Sequence, residues 1–157
     1  MPIYFYGTRS QPYGCFSNFS RHGFELEGYW WVTNEHYFQA QKFATTDPLW
    51  YKKIREVKTP REAAKMGRSR KYPLRTDWEQ VKDEIMERGV LKKFETHADI
   101  REILLSTDDE LIVENSPTDY YWGCGKNGTG KNKLGLILIA VRETLRDRVA
   151  VRSTIAT

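Results

Sequence analysis

Three side chains in the segment NEHYFQAQK have the types and spacing that acid–base or nucleophilic chemistry requires: Glu35, Gln39 and Lys42. Spacings of four and seven residues place all three on one side of a predicted helix. Phe38 and Phe43 make the neighbourhood apolar. A lysine partly buried there would have its pKa lowered by desolvation, which favours a nucleophilic amine. The competing interpretation is a row of exposed ion pairs on a helix surface, and the pattern leaves both open.

A second candidate site is the run from Glu114 to Arg142, which begins ENSPTDYYWGCGKNGTGKN. Beside the carboxylate of Asp119 it carries three aromatic residues and four glycines, namely Tyr120, Tyr121, Trp122, Gly123, Gly125, Gly128 and Gly130. Aromatic faces stack on bases, and glycine lets the backbone approach a ligand closely. Asp119 could hydrogen-bond a base edge or stabilise positive charge on a sugar. A turn or N-cap aspartate in a surface loop is the alternative.

Within this run, the segment GKNGTGKN (Gly125 to Asn132) almost fits the phosphate-binding pattern G-x-x-x-x-G-K-[ST]. Asn132 lacks the hydroxyl group that holds magnesium in that pattern, and the preceding YYWGC is not a buried apolar strand. The segment therefore argues against a nucleotide triphosphatase. The backbone N–H groups of its glycines could still bind a phosphate.

Positive charge is concentrated between Lys52 and Arg75, in a chain with a net charge of +4 and a pI near 9.0. Such a stretch fits an anionic partner, either a nucleotide phosphate or a nucleic-acid backbone. Each residue taken alone could equally be a solvated helix position. Arg9, Arg68 and Arg70 are the candidates for contact with a phosphate.

The composition of the 157 residues predicts one soluble, cytoplasmic domain. The chain has no apolar run of about 20 residues and no signal-like N-terminus, so we expect no membrane partner. Its two cysteines and three histidines show no metal-ligand spacing, so we expect neither a metal nor a cofactor. The oligomeric state is left open.

Periodicity and turn signals predict the order of the elements. Strands are predicted at Ile3 to Tyr6, Phe24 to Val32 and Leu111 to Val113, and helices begin at Asn34 (as N-cap), Asp47-Pro48, Thr59-Pro60, Asp77, Ala98 and Lys133. The last helix is predicted to end at Arg148, before a loose tail over residues 149–157. We therefore predict a single compact α+β domain over residues 1–148, mainly helical with a small sheet.

A series of short motifs runs in order along nearly the whole chain. They are FSNF (Phe16–Phe19), NEHYFQAQK (Asn34–Lys42), AKMGR (Ala64–Arg68), the spacing Trp78-x-x-x-Lys82-x-x-x-Met86, LKKF (Leu91–Phe94), Glu114–Asp119, WGCG and GKNKLG. Each is weak alone, but together they resemble the NADAR, or YbiA-like, family. The resemblance spans about Ile3 to Arg148.

This resemblance implies an N-glycosidase. YbiA-like members cleave phosphorylated ribosylamino-pyrimidine intermediates of riboflavin biosynthesis and release ribose 5-phosphate, whereas other NADAR members remove ADP-ribose from guanine in nucleic acid. We predict catalytic roles for Glu35, Lys42 and Asp119. Substrate contacts are predicted for Asn18, Phe19, Gln39, Arg9, Arg68, Trp78, Trp122, Gly123, Gly125 and Asn132.

Two mechanisms and one non-enzymatic function remain open at this stage. In the first mechanism, Lys42 forms a Schiff base with ribose C1 while Glu35 moves protons. In the second, Glu35 or Asp119 supports direct attack by water through an oxocarbenium-like state. A non-catalytic module that binds ADP-ribose or a nucleotide would use the same residues without turnover.

Overall fold

In the computed structural model, which describes residues 1–156, the chain forms four short strands and six α-helices, as the predicted α+β class requires. The strands are β1 (Ile3–Phe5), β2 (Phe24–Leu26), β3 (Tyr29–Trp31) and β4 (Ile112–Glu114). The helices are α1 (Asn34–Gln41), α2 (Pro48–Glu56), α3 (Pro60–Arg68), α4 (Trp78–Thr96), α5 (Ala98–Leu105) and α6 (Lys133–Ala156). A short 3-10 helix covers Tyr13–Phe16.

The chain divides into two compact units. The central unit is Asn18–Lys93, and the terminal unit combines Met1–Ser17 with the chain from Phe94 onward. The predicted domain boundary at residue 148 stays a prediction.

The central unit begins with a tight hairpin in which β2 and β3 pair antiparallel, Phe24 opposite Trp31. The predicted single β-like run from Phe24 to Val32 is therefore two strands. Glu27 and Gly28 form the turn between them with φ angles of 56° and 84°. Positive φ at both central residues matches the right-handed twist of the strands, and Glu-Gly is a weaker sequence signal for it than Asn-Gly.

Side-chain caps fix where the helices of the central unit start. The N-cap of α1 is Thr33, not Asn34 as predicted, and its side chain accepts from the N–H of His36. Asp47 caps α2 by accepting from the N–H of Trp50 at 3.0 Å, as predicted. Thr59 caps α3 by accepting from the N–H of Glu62 at 3.1 Å.

Helix α1 lies at the centre of this unit, in contact with α2, α3 and β3. All eight of its residues are buried, including the charged Glu35 and the polar Asn34 and Gln39. A helix that is buried on every side cannot leave polar groups to water, so each one needs a partner inside the protein.

In the terminal unit, β1 and β4 pair in parallel, with Ile3 opposite Ile112. Helix α6 packs on β4 and α5 packs on α6. The apolar side chains of α6, including Leu134, Leu138 and Val141, are buried.

Helix α6 continues to Ala156, whereas the sequence placed a loose tail after Arg148. Residues 149–156 (VAVRSTIA) contain neither glycine nor proline, so nothing in them ends a helix. Thr157 lies outside the described residues. Among residues 1–156, none of the helices has the length and hydropathy needed to cross a bilayer.

The cap of α3 gives a direct test of the fold. Thr59→Ala is expected to lower the free energy of unfolding by about 1 kcal/mol, because it removes the oxygen that accepts from Glu62 N–H. Urea denaturation followed by circular dichroism measures the change. Thr76→Ala, at an exposed position, is the control, and equal losses in both variants would contradict the assigned cap.

Candidate active site

The central unit brings Glu35, Gln39 and Lys42 together on α1 and at its C-terminal end. The residues are 9%, 7% and 8% exposed, so the predicted alternative of an exposed ion-pair row does not apply. The Gln39 amide Nε2 donates to Glu35 Oε1 at 2.7 Å. This bond holds the carboxylate in one orientation.

Lys42 sits against aromatic rings and a carbonyl group. Its Nζ lies 5.8 Å from the centroids of both Phe38 and Trp78, whose rings are 5.1 Å apart. Nζ also donates to the Gly67 carbonyl at 3.5 Å, the outer limit of a hydrogen bond. Burial lowers the pKa of the Lys42 amine from 10.5 to about 8, and the charge of Arg70 adds to this effect. About a tenth of the amine is therefore neutral at pH 7, far more than for a lysine in water.

The charges around Lys42 are mostly positive. Arg70, Arg68 and Lys82 each lower its pKa, and Glu35 raises it. The Arg70 guanidinium is held close to Lys42, because its Nη1 donates at 3.0 Å to the Gly67 carbonyl that also accepts from Lys42. Such a surrounding suits an anionic group on a ligand and disfavours the protonated amine.

Asn18, a predicted substrate contact, is tied to the start of α1. Its side-chain Oδ1 accepts from Asn34 Nδ2 at 2.8 Å, and its backbone carbonyl accepts from the N–H of Glu35 at 3.1 Å. Phe19 beside it is 38% exposed, so its ring is available for contact with a ligand. Trp78, also predicted to bind substrate, is only 7% exposed and acts as a wall beside Lys42.

His36, between Glu35 and Gln39 on α1, has a structural role. Nε2 donates to the Val57 carbonyl at 2.9 Å, and Nδ1 is 2.7 Å from the Thr33 hydroxyl. Burial lowers the pKa of the imidazole. A neutral ring with both nitrogen atoms engaged is not a general base.

In the terminal unit, the carboxylate of Asp119 has the role of a turn aspartate. Oδ1 accepts from the backbone N–H groups of Tyr121 at 2.9 Å and Trp122 at 2.8 Å. The half-buried Trp122 ring packs edge-on against Tyr121, with centroids 4.8 Å apart. The catalytic role of Asp119 and the substrate contact of Trp122 stay predictions.

The predicted contacts Gly123, Gly125 and Asn132 also have local structural roles. Asn132 accepts from Glu114 N–H at 2.9 Å and donates to the Ile112 carbonyl at 2.9 Å, so its amide is bound to β4. A side chain at Gly125, where φ is 72°, would lie 2.3 Å from the Tyr120 ring. Gly123 is closely surrounded by backbone, and its carbonyl accepts from Asn132 N–H. Their substrate contacts stay predictions.

Two of the three candidate phosphate contacts, Arg9 and Arg68, differ in their surroundings. Arg9 is exposed in the loop that follows β1. Arg68 is exposed at the end of α3 and acts on Lys42 through its charge. Within residues 1–156, no three His, Cys, Asp or Glu side chains lie close enough together to hold a metal ion.

Sequence reasoning missed the contribution of Gly67, whose carbonyl accepts from both Lys42 and Arg70. The motif AKMGR contains it, but a glycine near the end of a helix usually indicates only the end of that helix. The contacts of its backbone depend on how α3 packs on α1, which no local pattern encodes.

Comparison with known proteins finds similarity along nearly the whole chain. The NADAR domain model matches residues 4–146. N-glycosidase Npun_R5314 of Nostoc punctiforme is 55% identical over 152 residues, covering 96% of this chain and 97% of that protein. N-glycosidase YbiA of Escherichia coli is 48% identical over 143 residues, covering 91% of this chain and 88% of that protein. The chloroplastic riboflavin biosynthesis protein PYRR of Zea mays is 40% identical over 146 residues, covering 85% of this chain but only 23% of that protein.

The fold is also similar to that of a solved structure. The NMR structure of the E. coli protein YbiA superimposes with a TM-score of 0.86 at 45% sequence identity, covering 94% of this chain and 86% of that one. The family match spans nearly all of the chain, and the N-glycosidases of N. punctiforme and E. coli match over most of their own length. The chain therefore belongs to the NADAR domain family and is a hydrolase of the N-glycosidase type.

Proposed function

We propose that the chain hydrolyses the bond between ribose C1 and the exocyclic amine of a heteroaromatic base, using Lys42 as a covalent nucleophile. The observation that carries the proposal is the buried Lys42 amine, whose pKa is lowered to about 8 beside the carboxylate of Glu35. The substrate is a phosphorylated ribosylamino-pyrimidine, and the products are ribose 5-phosphate and the free amino-pyrimidine. The name of the maize relative, a riboflavin biosynthesis protein, supports this substrate.

The chemistry of the substrate explains why an amine nucleophile is useful. A ribose joined to an exocyclic amine can open its ring, because the nitrogen lone pair forms a C1=N bond as the bond from C1 to the ring oxygen breaks. The ring oxygen gains a proton and the nitrogen loses one, so the open form is a neutral imine. An ordinary nucleoside with an endocyclic nitrogen does not open easily in this way.

Lys42 would then exchange the amine at C1. Its neutral Nζ adds to C1, the C1–N bond to the base breaks, and the base leaves as a free amine after it takes up a proton. The product is a protonated Schiff base between C1 and Lys42. Water adds to C1, the Lys42–C1 bond breaks, and the released aldehyde closes to ribose 5-phosphate.

We assign the movement of these protons to Glu35. Its carboxylate is fixed by Gln39, and it influences the pKa of Lys42 from the same helix. It would carry the proton between ring oxygen, leaving amine and attacking water. Arg70 and Arg68 supply positive charge near Lys42, which suits the phosphate of the substrate.

One observation favours a second substrate, ADP-ribosylated guanine in nucleic acid. Most of the basic side chains between positions 52 and 75 are exposed, namely Lys52, Lys53, Lys58, Arg61, Lys65, Arg68, Arg70 and Lys71. A nucleic-acid backbone would use many of them, whereas a single sugar phosphate would use two or three.

Substitution of Lys42 tests the covalent mechanism. Lys42→Met and Lys42→Arg are each expected to lower kcat at least about 1,000-fold, because neither side chain forms a Schiff base. Release of ribose 5-phosphate from a ribosylamino-pyrimidine phosphate is the measurement. Borohydride should trap a substrate adduct on the unsubstituted protein that Lys42→Met lacks.

The outcomes separate the alternatives. Near-normal turnover in either variant, or an adduct that survives in Lys42→Met, would rule out the lysine nucleophile. Loss of activity in Glu35→Gln without any trapped adduct would favour direct attack by water. If the protein binds the substrate without any turnover, the non-catalytic binding module is the remaining alternative.

The lowered pKa of Lys42 also has a consequence for stability. Between pH 8 and 10.5 the unfolded chain holds more protons at Lys42 than the folded one, so this group makes the free energy of unfolding rise with pH in that window. At pH 7 its burial costs on the order of 3 kcal/mol. Lys42→Met is therefore expected to raise the free energy of unfolding at pH 7 by up to about 3 kcal/mol in urea denaturation. Lys65→Met, at an exposed position of α3, is the control, and a Lys42→Met variant no more stable than it would contradict the lowered pKa.

Salt dependence separates the two substrates. If nucleic acid is the substrate, kcat/KM for ADP-ribosylated guanine in DNA should fall steeply between about 50 and 200 mM salt, as a power of the salt concentration whose exponent is set by the number of phosphates contacted. If the pyrimidine is the substrate, its kcat/KM should exceed that for the DNA and change little with salt. Steady-state kinetics on both substrates measure the difference, and Lys52→Gln combined with Lys53→Gln should weaken only the DNA reaction.

A further inference from the structure

Gly67 lies at a point where α3 approaches α1 very closely. A Cβ atom placed on Gly67 would be 1.9 Å from Gln39 Oε1, 2.6 Å from its Cδ and 3.0 Å from its Cβ. The Gln39 side chain thus occupies the space that any other residue at position 67 would need. Only glycine permits this packing.

The position of the Gln39 amide matters because it holds Glu35. Nε2 donates to Glu35 Oε1 at 2.7 Å, whereas the buried Oε1 has no hydrogen-bond partner among the described residues. The amide is therefore held on one side by the carboxylate and on the other by the backbone of Gly67. An unsatisfied buried acceptor is costly, so packing must compensate for it.

The carbonyl of Gly67 faces the amine of Lys42. It accepts from Arg70 Nη1 at 3.0 Å and from Lys42 Nζ at 3.5 Å. Gly67 of α3 therefore contacts the Lys42 amine directly and the Glu35 carboxylate through Gln39.

We propose that Gly67 is a positioning residue that sets the geometry of Glu35 and the hydration of Lys42 at the same time. The inference rests on the roles assigned above to Glu35 and Lys42. A side chain at position 67 would push Gln39 and α1 away from α3, which would release the Glu35 carboxylate and admit water to the Lys42 amine.

The charged groups that act on Lys42 come from several elements. Glu35 belongs to α1, Arg68 to α3, Arg70 to the segment after α3, and Lys82 to α4. Desolvation is the largest cause of the lowered pKa. Separation of α1 from α3 would weaken desolvation first, so the pKa of Lys42 would move upward towards 10.5.

The test is the titration of Lys42 in Gly67→Ala, followed by NMR on lysine-labelled protein and assigned by the signal missing from Lys42→Met. The midpoint is expected to rise by about one pH unit or more. The pH at which kcat reaches its plateau should rise with it. This titration requires no turnover, so it stays informative even if the covalent mechanism fails.

Gly89→Ala is the matched control. A Cβ at Gly89 would lie 2.0 Å from Asn34 Oδ1, so this variant also forces a methyl group against an amide of α1, away from Lys42. It is expected to reduce stability without moving the Lys42 midpoint. Equal midpoint shifts in both variants, or an unchanged midpoint in Gly67→Ala, would overturn the proposal.

A double variant covers the case in which Gly67→Ala does not fold. Gln39→Ala removes Oε1 and Cδ, the two atoms that the new methyl group would approach most closely, and leaves only the 3.0 Å contact with Cβ, so Gly67→Ala combined with Gln39→Ala should fold. In the Gln39→Ala background, Gly67→Ala is expected to add little further change in Tm or in the Lys42 midpoint. Effects of the two substitutions that simply add would overturn the proposal, as would a double variant that remains unfolded.

Discussion

The complete burial of α1 is the constraint on which the candidate site depends. A helix enclosed by α2, α3 and β3 can find partners for its polar side chains only within the protein, and Gln39 Oε1 has none among the described residues. Glu35 is satisfied in part by Gln39, and His36 by Thr33 and Val57. For Lys42, the contacts described are one long hydrogen bond and two aromatic rings. Such an environment stabilises the neutral amine relative to the charged one.

Burial of Lys42 lowers the stability of the fold and favours a deprotonated amine. A charged lysine loses its hydration here without gaining an ion pair of good geometry, and Arg70, Arg68 and Lys82 repel it. A fold selected for stability alone would place an apolar residue at position 42. The local cost becomes understandable if the amine must be deprotonated to react.

The glycine-rich loop of the terminal unit looks like a ligand site in the sequence, but its polar residues have local structural roles. Its carboxylate, glycines and asparagine suggested ligand binding, yet the structure gives most of them a partner nearby. Asp119 holds two backbone N–H groups, and Asn132 bridges to β4. A polar residue in a glycine-rich loop often has to satisfy the backbone of that loop, because turns leave donors without partners.

The sequence by itself determined the α+β class, the starts of α2 and α3, and the common side of Glu35 and Gln39. These features follow from short-range rules, namely side-chain caps and helical periodicity, which act over a few residues. It could not place the turn at Glu27 and Gly28 or the end of α6, because the local signals there are weak. Only the tertiary structure decided that Lys42 is buried and that Gly67 lies against Gln39. Burial and close approach depend on which helices pack together, and that depends on contacts between residues far apart in the chain.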